Sequence, residues 1–192
     1  MTENDFRRES EQGIQILRLC SRDGTNRLTR RCVLALTDVV EELARNPQPL
    51  IIAGNDRFFS AGADLGEISA LDGPAAYDFS KLGQRLMGAI DEFPAPVIAA
   101  ISGYCMGGGL DLALACRQRL ASPNAVFGHR GAALGLITGW GGTQRLPRLI
   151  GKGRALQMFT AADKLSAERA LRISLIDSIE EDPLAAAVRR LL

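Results

Sequence analysis

One histidine in 192 residues, no paired cysteines and almost no net charge exclude several chemistries together. With His129 as the single imidazole, a histidine-rich metal centre is ruled out. The four cysteines, Cys20, Cys32, Cys105 and Cys116, form no C-x-x-C pair. Three sit within or beside apolar runs and Cys105 lies in a glycine loop, which suits reduced, buried thiols in a cytoplasmic protein. Twenty-three basic residues against 22 acidic ones give a formal net charge of +1. Nothing there points to a nucleic-acid or anionic-membrane partner, so an anionic ligand must be held by a local site. No apolar run reaches membrane length, and the opening MTENDFRRES is polar rather than a signal peptide. Two nucleotide signatures are missing as well. GxxxxGK(S/T) occurs nowhere, and the position three after Gly109, where GxGxxG needs a glycine, is Leu112.

What is present is ordinary globular material, 46% hydrophobic and 23% charged, enough for one domain with a real core. Residues 1–11 read as a polar N-terminal tail. After it, strand-like runs at Ile14–Cys20, Leu50–Ala53, Val97–Ile101, Arg119–Ala121, Ala125–Gly128 and Leu175–Ile179 alternate with helical patterns. The helices are expected at Leu28–Arg45, Leu65–Ala70, Ala75–Phe93, Leu110–Cys116, Thr143–Ile150, Arg154–Ala161, Ser166–Ile173 and Leu184–Leu192. In the long Ala75–Phe93 helix the inner positions are expected at Tyr77, Leu82, Leu86, Met87 and Ile90. Strand–helix units with no linker and no repeat predict a single α/β domain over residues 12–192.

The chain is organised around VIAAISGYCMGGGLDLALAC, Val97–Cys116. A buried strand leads into a loop of small residues holding Gly103, Gly107, Gly108 and Gly109, and then into an apolar helix. A second loop, Phe59–Asp64, has the same build: it follows a short buried strand and opens a helix. The first N–H groups of a helix lack internal partners and sit at its positive end, and glycine lets a ligand approach the backbone. If the fold brings the two loops together, two N–H groups converge on one oxygen, an oxyanion hole. The alternative is that Gly107–Gly109 serve only a tight turn and close helix packing. The Gly139–Gly142 cluster reads as packing.

Asp111 falls in the first turn of the central helix, as a helix-start stabiliser or as a general base that orients a water. His129 follows the Ala125–Gly128 strand and is the one residue that titrates near neutrality without a shift. Arg130 reads as a surface arginine and Trp140, the only tryptophan, as packing.

FSAGADL (Phe59–Leu65), SGYCMGGGLDLALAC (Ser102–Cys116) and GWGGTQRLPRLIG (Gly139–Gly151) together resemble the crotonase superfamily, the enoyl-CoA hydratase/isomerase family, in order and spacing from about Gln12 to Ile179. The resemblance implies a core of repeated ββα units and an acyl-CoA thioester ligand, with coenzyme A as part of the substrate and no separate cofactor or metal. It implies a homotrimer or dimer of trimers, and an oxyanion hole made by the N–H groups of Ala63 and Gly108. Ala61, Gly62, Asp64, Leu65, Gly107 and Gly131 are then expected around the substrate, with Ala63, Gly108, Asp111 and His129 catalytic. Arg27 and Arg57 are placed as candidate phosphate contacts.

The departures bear on function. Hydratases of the family carry two glutamates. Asp111 stands at the first position, one methylene shorter, and Gly131 stands at the second, so the group that delivers a proton to the α-carbon is missing. The family's isomerases that rely on that second acid fit poorly too, and the further acid of some relatives, near Thr138–Gly139, is absent. The C-terminus is also shorter than is common in the family. Three functions follow: a hydratase/isomerase working with Asp111; decarboxylation of a malonyl-type CoA (with His129 or Arg130 holding the departing carboxylate) or thioester hydrolysis; or acyl-CoA binding without catalysis.

Overall fold

The computed structural model describes residues 5–192. In chain order the elements are strands β1 (Phe6–Glu11), β2 (Ile14–Leu19) and β3 (Arg27–Leu28); helix α1 (Arg30–Leu43); β4 (Leu50–Ala53), β5 (Phe58–Ser60) and β6 (Gly62–Ala63); α2 (Leu65–Ser69) and α3 (Gly73–Asp91); β7 (Val97–Ile101) and β8 (Tyr104–Met106); α4 (Gly108–Ala115); β9 (Gln118–Ala121) and β10 (Val126–Gly128). A short 3-10 helix, Gly131–Leu134, precedes α5 (Gly142–Ile150), α6 (Lys152–Ala161), β11 (Leu165–Ser166), α7 (Ala167–Arg172), β12 (Ser178–Ile179) and α8 (Pro183–Leu191). The result is the α/β architecture the alternating pattern predicts.

The large sheet runs β1-β2-β4-β7-β9-β12, parallel from β2 onward. Its central strands are apolar throughout because both faces are covered. Leu50, Ile52, Val97, Ala99 and Ile101 face the main core with α1 and α3, whereas Ile51, Ala53, Ile98 and Ala100 face α8 through Ala186, Ala187 and Val188. The helix starts follow capping chemistry. Thr29 accepts from the Cys32 N–H at 3.2 Å and Asp72 from the Ala75 N–H at 2.9 Å, so α1 begins two residues later than its apolar pattern and α3 two residues earlier. α4 is apolar on every side apart from Asp111 and is buried accordingly.

The structure corrects four expectations. The polar tail is not a tail over Phe6–Glu11: that segment is β1, paired antiparallel with β2 from Phe6↔Leu19 to Glu11↔Ile14. An edge strand needs only backbone partners, so it carries no hydrophobic alternation; residues 1–4 of that expected tail lie outside the described residues. Tyr77 is 63% exposed, and Phe79 takes the inner position instead. Leu175–Ile179 is a strand only at Ser178–Ile179, because Leu175 and Asp177 serve a different purpose. The buried Arg119 guanidinium donates to the carbonyls of Leu175 (2.9 Å) and Cys116 (2.7 Å) and pairs with Asp177 at 3.3 Å. Lastly, the two glycine loops contain β5, β6 and β8, and β5 and β8 join a second sheet of order β11-β10-β8-β5.

Candidate active site

That second sheet brings the two loops together. β5 and β8 are parallel neighbours, Phe58 opposite Tyr104 and Ser60 opposite Cys105, so the chain leaves both strands at the same end. Each loop then turns on a glycine in the left-handed half of backbone space, Gly62 at φ +96° and Gly107 at φ +50°. The residues that follow these turns are Ala63 and Gly108, the two expected donors. A Cβ built on Gly108 would lie 3.2 Å from the Ala63 nitrogen, and one on Gly62 would lie 3.1 Å from the Gly108 nitrogen. The Gly108 N–H is at the first position of α4, where no intrahelical acceptor exists. The three consecutive glycines therefore have three separate tasks. Gly107 makes the turn, Gly108 admits the Trp140 ring, and Gly109 lets α4 sit on β5, where a Cβ would stand 2.6 Å from that of Ser60.

Asp111, one turn into α4, is 1% exposed. Its Oδ2 accepts a hydrogen bond from the Thr138 hydroxyl. Its Oδ1 lies 3.3 Å from His129 Nε2, yet neither atom completes a hydrogen bond. Burial pushes the Asp111 carboxyl up to about 7, against a smaller downward pull from Thr138 and Arg145. Burial pushes His129 down to about 4, so its ring is neutral at pH 7. A neutral imidazole facing a carboxyl group does not suit the anion-holding role expected of His129 in decarboxylation. A buried acid that titrates near neutrality suits proton transfer.

Gly142, the start of α5, closes this group from behind: a Cβ there would meet Asp111 Oδ1 at 2.1 Å. Gly142→Ala is expected to displace the carboxylate, costing about 1–3 kcal/mol of stability and most of any activity; thermal unfolding and turnover of the variant check both. The glycine cluster at 139–142, read from the sequence as packing, thus packs against the site itself.

Both groups open onto a cavity of about 680 Å³, within the size range of small-molecule sites. Its walls are mostly apolar, from Ile68, Phe79, Leu134, Ile137, Trp140 and Phe159 among others. Of the residues singled out from the sequence, Ala61, Gly62, Ala63, Leu65, Gly107, Gly108, Asp111, His129 and Gly131 line it. Asp64 does not. Its carboxylate caps α2 through the Glu67 N–H at 3.0 Å and pairs with Arg27 at 3.1 Å, which also occupies Arg27 away from the cavity. Arg57 stacks over the Phe58 ring instead of lining the cavity. Thr138, the hydroxyl partner of Asp111, escapes sequence reasoning, since nothing near it in the chain signals that contact.

The family model described as enoyl-CoA hydratase/isomerase matches residues 9–190. The chain belongs to the enoyl-CoA hydratase/isomerase family. It is 38% identical to the crotonyl-CoA hydratase of Syntrophomonas wolfei over 89% of this chain and 67% of that relative. It is 40% identical to the probable enoyl-CoA hydratase of Bacillus subtilis over 79% of this chain and 60% of that one. The chain thus spans 60% to 67% of the length of these curated relatives. Among solved structures, Pseudomonas aeruginosa DspI superposes with a TM-score of 0.93 at 32% identity, covering 98% of this chain and 74% of that one. Within this enoyl-CoA hydratase/isomerase frame the glycine at 131 is built into the backbone. It opens the 3-10 helix, and a Cβ there would stand 2.6 Å from the Leu136 carbonyl oxygen.

Proposed function

We propose that this chain binds an acyl-CoA thioester in the 680 Å³ cavity and hydrates its α,β double bond. The observation that carries this is the close approach of the Ala63 and Gly108 backbones at the start of a buried helix. Two N–H groups there hold the thioester oxygen, and their attraction grows as charge moves onto that oxygen in the enolate. The Asp111 carboxylate holds the water that adds to the β-carbon. The curated relatives' names, both hydratases, support the same reaction. A malonyl-type substrate is disfavoured, because its carboxylate would enter the cavity beside the buried carboxyl of Asp111.

The test is loss of enoyl-thioester absorbance when crotonyl-CoA meets the purified protein, with malonyl-CoA run beside it. Turnover of crotonyl-CoA and none of malonyl-CoA is expected. Tight binding of both without turnover would overturn the proposal in favour of binding without chemistry.

A further inference from the structure

Hydration needs a base for the water and a proton at the α-carbon, and the backbone at Gly131 leaves no room for a second acid. Among the described residues, the ionisable groups that line the cavity are Tyr104, Asp111, His129, Arg130 and Lys164, and Tyr104, Arg130 and Lys164 are exposed. Asp111 Oδ1 and His129 Nε2 close each other off, lying 3.3 Å apart with neither atom accessible. That leaves Oδ2 as the working oxygen of Asp111, and the Thr138 hydroxyl lies on it as a hydrogen-bond donor. Asp111 is 1% exposed, whereas Thr138 is half-buried and lines the cavity. The other arm of Thr138 fixes its orientation. Its methyl faces the start of α5, where a Cβ on Gly142 would come within 2.8 Å of Cγ2, and a β-branched side chain has little freedom at χ1. A hydroxyl that donates to a carboxylate keeps lone pairs that accept a proton from water.

We infer that the Thr138 hydroxyl is the group that meets the reacting water, and that Asp111 acts through it, first as the base and then as the acid that returns a proton to the α-carbon. The inference rests on the hydratase reading for its water and on the acyl-CoA cavity for its substrate.

The step balances without a further reactant. A water O–H bond breaks as its oxygen bonds to the β-carbon. That proton goes to Thr138 Oγ1 while the Thr138 hydroxyl proton goes to Asp111 Oδ2. The electron pair of the double bond moves onto the thioester oxygen, held by Ala63 and Gly108. The transfer then runs backwards: Asp111 returns its proton to Oγ1, and Oγ1 gives its own to the α-carbon as the enolate collapses. The α- and β-carbons are bonded neighbours, so one hydroxyl serves both, and Thr138 and Asp111 end as they began. A carboxyl that titrates near 7 suits both directions of transfer. The other groups that face or bias it are His129 after β10, neutral at pH 7; Arg145 on α5, paired with Asp91 at 3.2 Å; and Cys105 on β8, whose thiol burial holds well above its ordinary range.

The experiment compares wild type with Thr138→Val, which keeps the shape and removes the hydroxyl, and with Thr138→Ser, which keeps the hydroxyl. Three assays are run: crotonyl-CoA hydration across pH, crotonyl-CoA binding, and exchange of the α-protons of butyryl-CoA with D₂O, which reads the α-carbon step without water addition. Thr138→Val is expected to lose hydration and exchange together by at least about a hundredfold while binding stays close to wild type; Thr138→Ser keeps most of both. Without the hydroxyl the Asp111 carboxyl moves further above its ordinary range, so the pH midpoint of the residual hydration rises, and the rate stays low on the plateau above that midpoint. A plateau at the wild-type rate would overturn the inference, since Thr138 would then only bias the carboxyl. Wild-type exchange in Thr138→Val would overturn it too, by showing another acid at the α-carbon, and so would binding lost in step with activity, which would make Thr138 a packing residue. A wild type that exchanges α-protons but hydrates no enoyl-CoA would sink the hydratase reading, and loss of that exchange in Thr138→Val would still uphold the Thr138 path to the α-carbon. A wild type that does neither removes both.

Discussion

Asp111→Asn is expected to lower crotonyl-CoA hydration by about 10²–10⁴-fold and, at the same time, to make the protein more stable above neutral pH. The two effects have one cause. Asp111 is buried on an apolar helix, where its charged form is poorly solvated, so its carboxyl titrates near 7 instead of at 3.8. As pH rises from about 4, the unfolded chain releases this proton first and the folded chain keeps it until about 7. Folding stability is therefore lost across that window and does not return above it, a penalty of about 4 kcal/mol. Asparagine does not titrate and can still accept the Thr138 hydroxyl, so the variant escapes the penalty.

Thermal unfolding of the two proteins should nearly coincide at pH 4 and differ most at pH 8. His129 works in the opposite direction, losing stability as pH falls from about 6.5 to about 4, but it is present in both proteins and drops out of the difference. Activity adds a second sign. Wild-type hydration should rise with pH through about 7 as the carboxylate forms, with His129, Thr138 and Arg145 as the groups that face or bias it. An Asp111→Asn variant as active as wild type would remove Asp111 from the reaction.

Gly108→Ala is expected to cost about 10²–10³-fold in hydration, the loss of roughly one oxyanion donor, with much less effect on crotonyl-CoA affinity. The added methyl would stand 3.2 Å from the Ala63 nitrogen and 2.5 Å from Trp140 Cζ3, so it enters the space the thioester oxygen requires. Helix α4 itself should persist, since alanine is a better helix former than glycine. Trp140 is the single tryptophan, so its fluorescence reports directly whether the ring has moved. Hydration near the wild-type rate with an altered tryptophan signal would show that the methyl was accommodated and that Gly108 is a packing residue only.

The legible parts of this fold were those whose signal is local. Val97–Ile101 and Leu50–Ala53 read as buried strands because every residue is apolar, and α1 and α3 because their apolar positions recur at helical spacing. The convergence of two N–H groups was legible because two loops share one build, and the family resemblance named Ala63 and Gly108 as the pair. β1 was not, because an exposed edge strand leaves its mark only in backbone pairing. β5, β6 and β8 were hidden inside loops, since two or three residues are too few to show a period.

By itself the sequence determined the α/β class, the two glycine turns, the carboxylate at 111 and the absence of an acid at 131. The class and the turns follow from residue type and spacing along the chain, and the weight given to positions 111 and 131 from the family resemblance of the three motifs. Tertiary structure alone decided that Thr138 and His129 meet Asp111, that Gly142 closes behind them, and that Asp64 and Arg27 neutralise each other away from the cavity. It also decided the protonation of the pair. A carboxyl and an imidazole keep their ordinary titration in water, and only removal of each from water, imposed by distant segments, moves one up to about 7 and the other down to about 4.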